Sequence, residues 1–586
     1  MTKHWVVVET GGTQRFIFGS NRLRHVIGAS ELVLRAGTSW VREACAGLVG
    51  VREVQLISGK ARLLVDEAET GRILIHRLSD MVLARAPGLE VTGVVGPGFD
   101  EALPHRPTTG SGDAEVARDA PLDHVTALRA TFRAHGRVRA ARPARLVRDT
   151  VLPWHELCRE TGMPSAGLEL YGTDPTVEQD WHPAGAGVLA RSRVQREARQ
   201  RLTNMVGEAH ADVIPKVIDD LRHDGWIAVI HADGNGVGAL LHHFPALISQ
   251  VAGEPELSLD TYCRYLSDFA SELEEATRCA LRDGITEAVS DWSDEDRVGV
   301  LLPVVVGGDD VTLACHARLA RPLVRGYLRA FEEQTRHRKV IAALTTAYRR
   351  TILGQQHPGG GLTAAAGIAI VKPHHPFAAA YDLAEELTSS AKQAKRVVPE
   401  VGMSGYDLHV AHESTLRPLP RLRAALTLHE AGGAVYRHGG PYLVREETST
   451  RPDGLTETQV EWLRNRDDRH LDDLLDVLDD GRLSSARAHD LRGALDRGLV
   501  EYEARCRVVV ARAGSQQQRE SPNPPEGNGS WAGLLDTVTV EADTGPERFV
   551  RLVDAMLLNS IEHAPAAADE PEPVLAGADG RTGGAR

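Results

Sequence analysis

Two stretches of this chain set acids beside glycines. In Val304-Val305-Val306-Gly307-Gly308-Asp309-Asp310-Val311-Thr312-Leu313, apolar β-branched runs flank a Gly-Gly-Asp-Asp core. The pattern reads as a strand, a tight turn and a returning strand with two carboxylates at the tip. Carboxylates so close repel one another, and a divalent cation relieves the repulsion. Gly307 and Gly308 admit a bulky ligand, because no Cβ stands in the way. In the second stretch, from Trp226 to Gly238, an apolar strand ends at Asp233 and runs into Gly234, Asn235, Gly236 and Gly238. If the two strands are neighbours in one sheet, Asp233 meets Asp309 and Asp310. The result is an oxygen-rich site of the kind that Mg2+ or Mn2+ prefers and that two-metal phosphoryl transfer uses. Nucleotide would then lie against the glycines. A dinucleotide fingerprint is the rival reading. The Gly-x-Gly-x-Gly spacing argues against it, as does the lack of a second strand ending in an acid about 20 residues on.

The Asp233 strand end, the Gly307–Asp310 hairpin, the run from Leu362 to Lys372 and the helix from Ala380 to Leu387 that closes at Ala391-Lys392 occur in a telling order. Together they resemble the polymerase-cyclase subunit of type III CRISPR effector complexes. The resemblance implies a palm like that of adenylate and diguanylate cyclases, and an enzyme that joins ATP into cyclic oligoadenylates serving as messengers in antiviral defence. It also implies a triphosphate-contacting lysine at Lys392, with Lys395 as second choice. Taken alone, cations at a helix end need only the helix dipole to explain them.

The elements around these residues predict an α+β chain with two ferredoxin-like palms. Residues 1–104 read as β-α-β-β-α-β: a strand from Trp5, a helix over 23–45, a hairpin around Ser58-Gly59-Lys60, a helix over 73–84 and a strand over 89–95. Gln14 to Leu23 and Gly28 to Leu32 resemble the family's amino-terminal signature. This copy is expected to be degenerate, with Thr10-Gly11 in place of Asp233 and Lys60-Ala61 in place of Asp309 and Asp310. Lacking those carboxylates, it would serve as a structural unit or as a second wall for nucleotide. Residues 105–221 form an Arg-rich helical linker, carrying Arg129, Arg133, Arg137, Arg139, Arg142, Arg145 and Arg148, then Arg191, Arg193, Arg196, Arg199 and Arg201. Such rows are solvated helix faces or an RNA- or partner-binding face. Residues 222–414 are the active palm, 415–564 a helical C-terminal domain, and 565–586 a disordered tail. Residues 512–529 read as a loop.

At 586 residues with a formal charge of -14, the chain spans several domains and does not suit a nucleic-acid coat over its whole surface. Six scattered cysteines without Cys-x-x-Cys suggest neither a disulfide framework nor a zinc ribbon. In the family the linker position carries a zinc-binding insert; Cys158 stands alone here, so no zinc is expected. No apolar run is long enough to cross a membrane, which points to the cytoplasm. His489-Asp490 lacks the other ligands of an HD hydrolase. Many relatives carry an HD nuclease ahead of the first palm, whereas this chain opens at the palm, so DNA cutting is not expected.

The chemistry implied is ATP-dependent nucleotidyl transfer, with ATP as substrate and a guide-RNA/target-RNA complex and small CRISPR effector subunits as partners. A diguanylate-cyclase-like enzyme using GTP, a catalytically silent scaffold subunit and a stand-alone signalling enzyme are the alternatives.

Overall fold

A computed structural model of the chain describes residues 1–107, 121–141, 151–171, 180–217, 219–355, 359–393, 403–412, 417–430, 433–444, 456–520, 535, 537–542 and 545–563. The chain opens on β1 (Thr2–Gly11), whose Trp5, Val6, Val7 and Val8 are buried. There follow α1 (Thr13–Ile17), α2 (Leu23–Gly37), α3 (Ser39–Cys45), β2 (Val51–Ile57), β3 (Lys60–Val65), α4 (Ala68–Arg85) and β4 (Glu90–Asp100). These four strands form one antiparallel sheet in the order β2-β3-β1-β4, the ferredoxin-like arrangement. The single helix expected over 23–45 is two helices. It breaks after Gly37 because the helix end rests on the β2–β3 turn, where a Cβ would lie 2.1 Å from the Ile57 carbonyl oxygen.

The linker contains α5 (His124–Ala141), a hairpin of β5 (Gly167–Tyr171) and β6 (Asp180–Ala184), and α6 (Ala186–Val206). Its arginines are not one free face. Arg191 is buried, stacked on Phe16 and donating to the Phe16 carbonyl at 2.7 Å. Arg201 binds Glu31 at 2.7 Å, and Arg199 donates to the Pro215 carbonyl at 2.9 Å. Arg193 and Arg196 remain exposed; Arg142, Arg145 and Arg148 lie outside the described residues.

The second palm comprises β7 (Ile227–Gly234), α7 (Val237–His242), α8 (Phe244–Ala252), α9 (Leu259–Ala288), β8 (Leu301–Gly307), β9 (Asp310–His316), α10 (Ala317–Arg336), α11 (Lys339–Thr351), β10 (Ala364–Val371), α12 (Phe377–Ala391) and β11 (Ser404–Val410). Its core order β10-β7-β9-β8 repeats that of the first sheet. Ser258 caps α9 by accepting from Thr261 N, and the stripe of Leu266, Phe269, Leu273 and Ala276, at helical spacing, is buried.

The C-terminal part holds α13 (Leu419–Ala425), β12 (Thr427–Glu430), β13 (Gly433–Tyr436), β14 (Tyr442–Val444), α14 (Glu457–Asn465), α15 (Arg469–Asp479), α16 (Ser485–Arg497), α17 (Leu499–Glu520), β15 (Val538–Ala542), β16 (Gly545–Phe549) and α18 (Leu552–Glu562). The expectation of a helical unit is incomplete. A four-stranded sheet, β12-β13-β16-β15, joins segments far apart in sequence, and β14 extends the palm sheet beside β11. Strands of three to five residues are too short to display a period of two. The loop expected over 512–529 is helical as far as Glu520, with the remainder outside the described residues. His489 bonds the Ser485 carbonyl and Asp490 pairs with Arg505, so that dipeptide is ordinary helix surface. Among the described residues no helix is long and apolar enough to cross a membrane.

Candidate active site

Strands β7 and β9 are antiparallel neighbours, with Ala232 opposite Val311, so the next step of the register sets Asp233 across from Asp310. Strands β8 and β9 close at Gly307 opposite Asp310, leaving Gly308 and Asp309 as a two-residue turn. Gly308 has φ +63, a left-handed conformation that favours glycine, and its carbonyl accepts from Thr277 Oγ1 of α9 at 2.6 Å. Asp309 folds onto Gly234, where a Cβ would lie 2.8 Å from Asp309 Cβ and 2.9 Å from its Oδ2. Gly234 is thus the space in which Asp309 sits.

The carboxylates strain against one another. Burial, and then the charge of Asp233, push the Asp309 pKa up to about 6, and the two side chains share a hydrogen bond. Asp310 is likewise held above the usual carboxylate range by burial, then by Asp233, Asp309 and Glu385. Much of the Asp310 side chain meets solvent, yet its Oδ1 is enclosed without a hydrogen-bond partner, 3.3 Å from His231 Nδ1. Burial keeps His231 below its ordinary pKa, and its Nδ1 bonds Thr312 Oγ1 at 3.1 Å. Among the described residues the cation beside these acids is Lys392, whose ammonium pairs with Asp233.

Of the other expected residues, Asn235 braces the strand end through its amide, reaching Thr363 Oγ1 at 3.2 Å and the Met403 carbonyl at 3.3 Å. Gly236, φ +78, precedes α7; a Cβ at Gly238 would meet nothing within 4 Å, whereas one at Gly307 would touch Ser58 Cβ at 3.7 Å. Lys395 lies outside the described residues. Sequence reasoning missed His231, although two residues before Asp233 is the same strand face. The expected wall from the first palm came without the residues that form it. Gln14 Nε2 donates to Tyr381 OH at 2.9 Å and to Glu385 Oε1 at 3.1 Å, and Phe18 stacks on Tyr381 at 3.9 Å. No local pattern links residues that far apart in sequence.

A hard divalent cation fits this donor set: three all-oxygen side chains, two of them raised by burial and then by one another's charge, and one orphaned enclosed oxygen. Among the described residues, the group of three metal-type ligand atoms all within 4.8 Å of one another is a different one, His25, Glu160 and Glu169. There His25 bridges Glu160 at 3.1 Å and Glu169 at 2.6 Å, with Arg22 beside Glu160 and Arg24 beside Glu169. Those guanidinium groups already supply the positive charge, which makes it an ion-pair cluster.

Register also corrects the expected correspondence between the palms. The first hairpin closes at Ile57 opposite Lys60, and Glu9 of β1 faces Lys60. The counterparts of Asp233, Asp309 and Asp310 are therefore Glu9, Gly59 and Lys60, one residue back from Thr10-Gly11 and Lys60-Ala61. Thr10 matches Gly234. Helix α5 lies over β1 and β4 as α12 lies over β7 and β10, and its His135 stands 3.9 Å from Glu9 as Lys392 stands at Asp233.

Residues 226–397 match the sequence profile described as "Cas10/Cmr2, second palm domain". No curated protein matches the chain. Solved structures similar to it include a Csm1-Csm4 cassette in complex with cA4 (12% identity, 67% of this chain and 53% of that one, TM-score 0.37). Others are an apo Csm1-Csm4 cassette (12%, 95% and 70%, 0.42) and the apo type III-B Cmr-beta complex (9%, 96% and 81%, 0.43). The chain spans about half the length of the Csm1 chain in the first of these. With its palm sheet order and the Gly307–Asp310 hairpin facing Asp233, the segment 226–397 is similar to the second palm domain of Cas10/Cmr2.

Proposed function

We propose that the chain is a nucleotidyltransferase that joins ATP into cyclic oligoadenylate messengers within a type III CRISPR-like antiviral system. The observation that carries this reading is the convergence of Asp233, Asp309 and Asp310 from two antiparallel strands into one self-repelling acidic site. Held by those three residues, two Mg2+ or Mn2+ ions would activate a ribose hydroxyl and neutralise the departing pyrophosphate. Lys392 is positioned to exchange Asp233 for a triphosphate, and Lys395 follows it in the chain. Gly234, Asn235, Gly236, Gly307 and Gly308 shape the strand end and the hairpin, and the open space at Gly238 accepts part of the nucleotide.

In this reading residues 222–414 are the working palm and residues 1–104 its partner wall, applied through Gln14 and Phe18. Residues 105–221 and 415–564 are the surfaces available to guide RNA and small effector subunits in the cytoplasm. Csm1 in the solved cassettes is accompanied by Csm4. The test is chromatography of products from each of the four ribonucleoside triphosphates, with Mg2+ or Mn2+ and with or without target RNA. Oligoadenylates from ATP are expected. Product from GTP alone would make the enzyme diguanylate-cyclase-like, and no product under any condition would make it a scaffold.

A further inference from the structure

Gly405 of β11 is level with Asp233, through Ala365 of β10; the opposite end of the same strand leads into a second feature. There a cavity of about 180 Å3 lies between the end of β11, α13, the segment after β13, α16 and α18. Its walls carry three arginines, Arg423, Arg437 and Arg492, and three histidines, His409, His412 and His438, against a single carboxylate, Asp554. The acid is already engaged, since its Oδ2 accepts from Tyr442 OH at 2.6 Å and from Gly439 N at 2.7 Å.

Two of the arginines are tied, Arg423 to Asp407 at 2.7 Å and Arg437 to Asp496 at 2.5 Å. Arg492 is exposed and makes no ion pair among the described residues. The floor is His438, only 8% exposed, whose Nδ1 is enclosed with no hydrogen-bond partner. An unpaired polar atom at that depth costs free energy unless something meets it. The neighbouring charges act in the same sense. After burial, Arg423 lowers His409, to about 4, and His438, while Lys372 and Arg492 lower His412.

We propose that this cavity binds a small phosphate-type dianion, free phosphate or a short phosphomonoester, held between His438 and His409 on the floor and Arg492 at the mouth. The volume sets the class, being below the roughly 300 Å3 at which pockets begin to enclose drug-sized ligands. A phosphate with a short organic stub fits; a whole nucleotide does not. The site is independent of the chemistry at Asp309.

Calorimetric titration of the full-length chain with inorganic phosphate, chloride balancing ionic strength, tests it. Saturable binding is expected, weakened about tenfold or more in Arg492→Glu by loss of a charge-assisted hydrogen bond. Arg492 is exposed, so the variant should melt with the wild type; His438→Asn is a second variant expected to weaken binding. Binding should persist in Asp309→Asn/Asp310→Asn. Ribose 5-phosphate binding more tightly than phosphate would identify a phosphomonoester, and equal binding would identify phosphate. No saturable binding of either, equal affinity in Arg492→Glu, or loss of binding in the double Asn variant would each overturn the proposal.

Discussion

Palm 1 and palm 2 share one sheet order, yet at the matched hairpin they have traded where the glycine sits. In palm 2 the strand end is Gly234, and the turn carries the side chain, Asp309, that fills the space. In palm 1 the turn is Gly59, φ +68, and the strand end carries the side chain: a Cβ at Gly59 would lie 2.4 Å from Thr10 Oγ1. Thr10 spends its polar groups locally, with its N and Oγ1 bonding the Gly59 carbonyl at 2.8 and 3.2 Å. The pair across the strands changes in the same way. Asp233 and Asp310, like charges, give way to Glu9 and Lys60, opposite charges that suit facing positions without a third party. One palm faces unlike charges across its strands, and the other leaves a deficit that Lys392 at Asp233 meets only in part. In the proposed function that deficit is what the metal ions would fill.

Removing that deficit is the strongest way to break the comparison. Asp309→Asn/Asp310→Asn should cut product formation on the order of a thousandfold or more, since preorganised electrostatics dominate such steps. In chelator the variant should melt no lower than the wild type, because its enclosed amides no longer repel. Mn2+ should raise the melting temperature of the wild type and not of the variant. A variant that lost its fold, or kept its activity, would defeat the assignment. Next in size comes the glycine exchange. Gly59→Asp meets both Thr10 and a left-handed backbone, and should cost about 1–3 kcal/mol in urea unfolding. Adding Thr10→Gly should return part of that, a coupling of about 0.5–3 kcal/mol in a double-mutant cycle. Strict additivity would show that the two palms do not trade space as described.

How much of this could be read from the sequence follows from how local each signal is. The Gly-Gly-Asp-Asp turn, the strand ending at Asp233 and the amphipathic stripe of α9 are dictated within a dozen residues, and the sheet built from them has the expected order. The register of palm 1 was offset by one residue because a lysine-tipped turn and an aspartate-tipped turn look alike until their partner strand fixes which residues face. Gln14 acting on Tyr381 and Glu385 has no sequence signal, since the contact exists only once the palms pack. The C-terminal sheet escaped because its strands are too short to show a period. Gly234 and Gly238 looked equivalent, and only packing separates them. Gly234→Ala should cost about 1–3 kcal/mol by overpacking onto Asp309. Gly238→Ala, in the first turn of α7 with nothing near, should leave stability unchanged or raise it by up to about 1 kcal/mol. If nucleotide occupies that space, Gly238→Ala should still raise the KM for ATP.

The smallest effect sharpens the contrast from the side of palm 1, where buried charge is paired rather than left over. His25 of α2 is fully buried, and both ring nitrogens bond carboxylates, Glu160 and Glu169, with Ser20, Arg22 and Arg24 alongside. Burial opposes its charged form, but the hydrogen bonds to Glu160 and Glu169 outweigh it and its pKa is raised above 6.5. A raised folded-state pKa means that the stabilisation is fully present below 6.5 and is lost as pH climbs through the higher folded value. Melting temperature should therefore fall as pH rises above 6.5 in the wild type, while His25→Gln, starting about 1–3 kcal/mol lower, should respond less steeply. Parallel pH profiles for the two proteins would mean that His25 is neutral in its cage. The claim that palm 1 settles its charges internally would then lose its best-buried example.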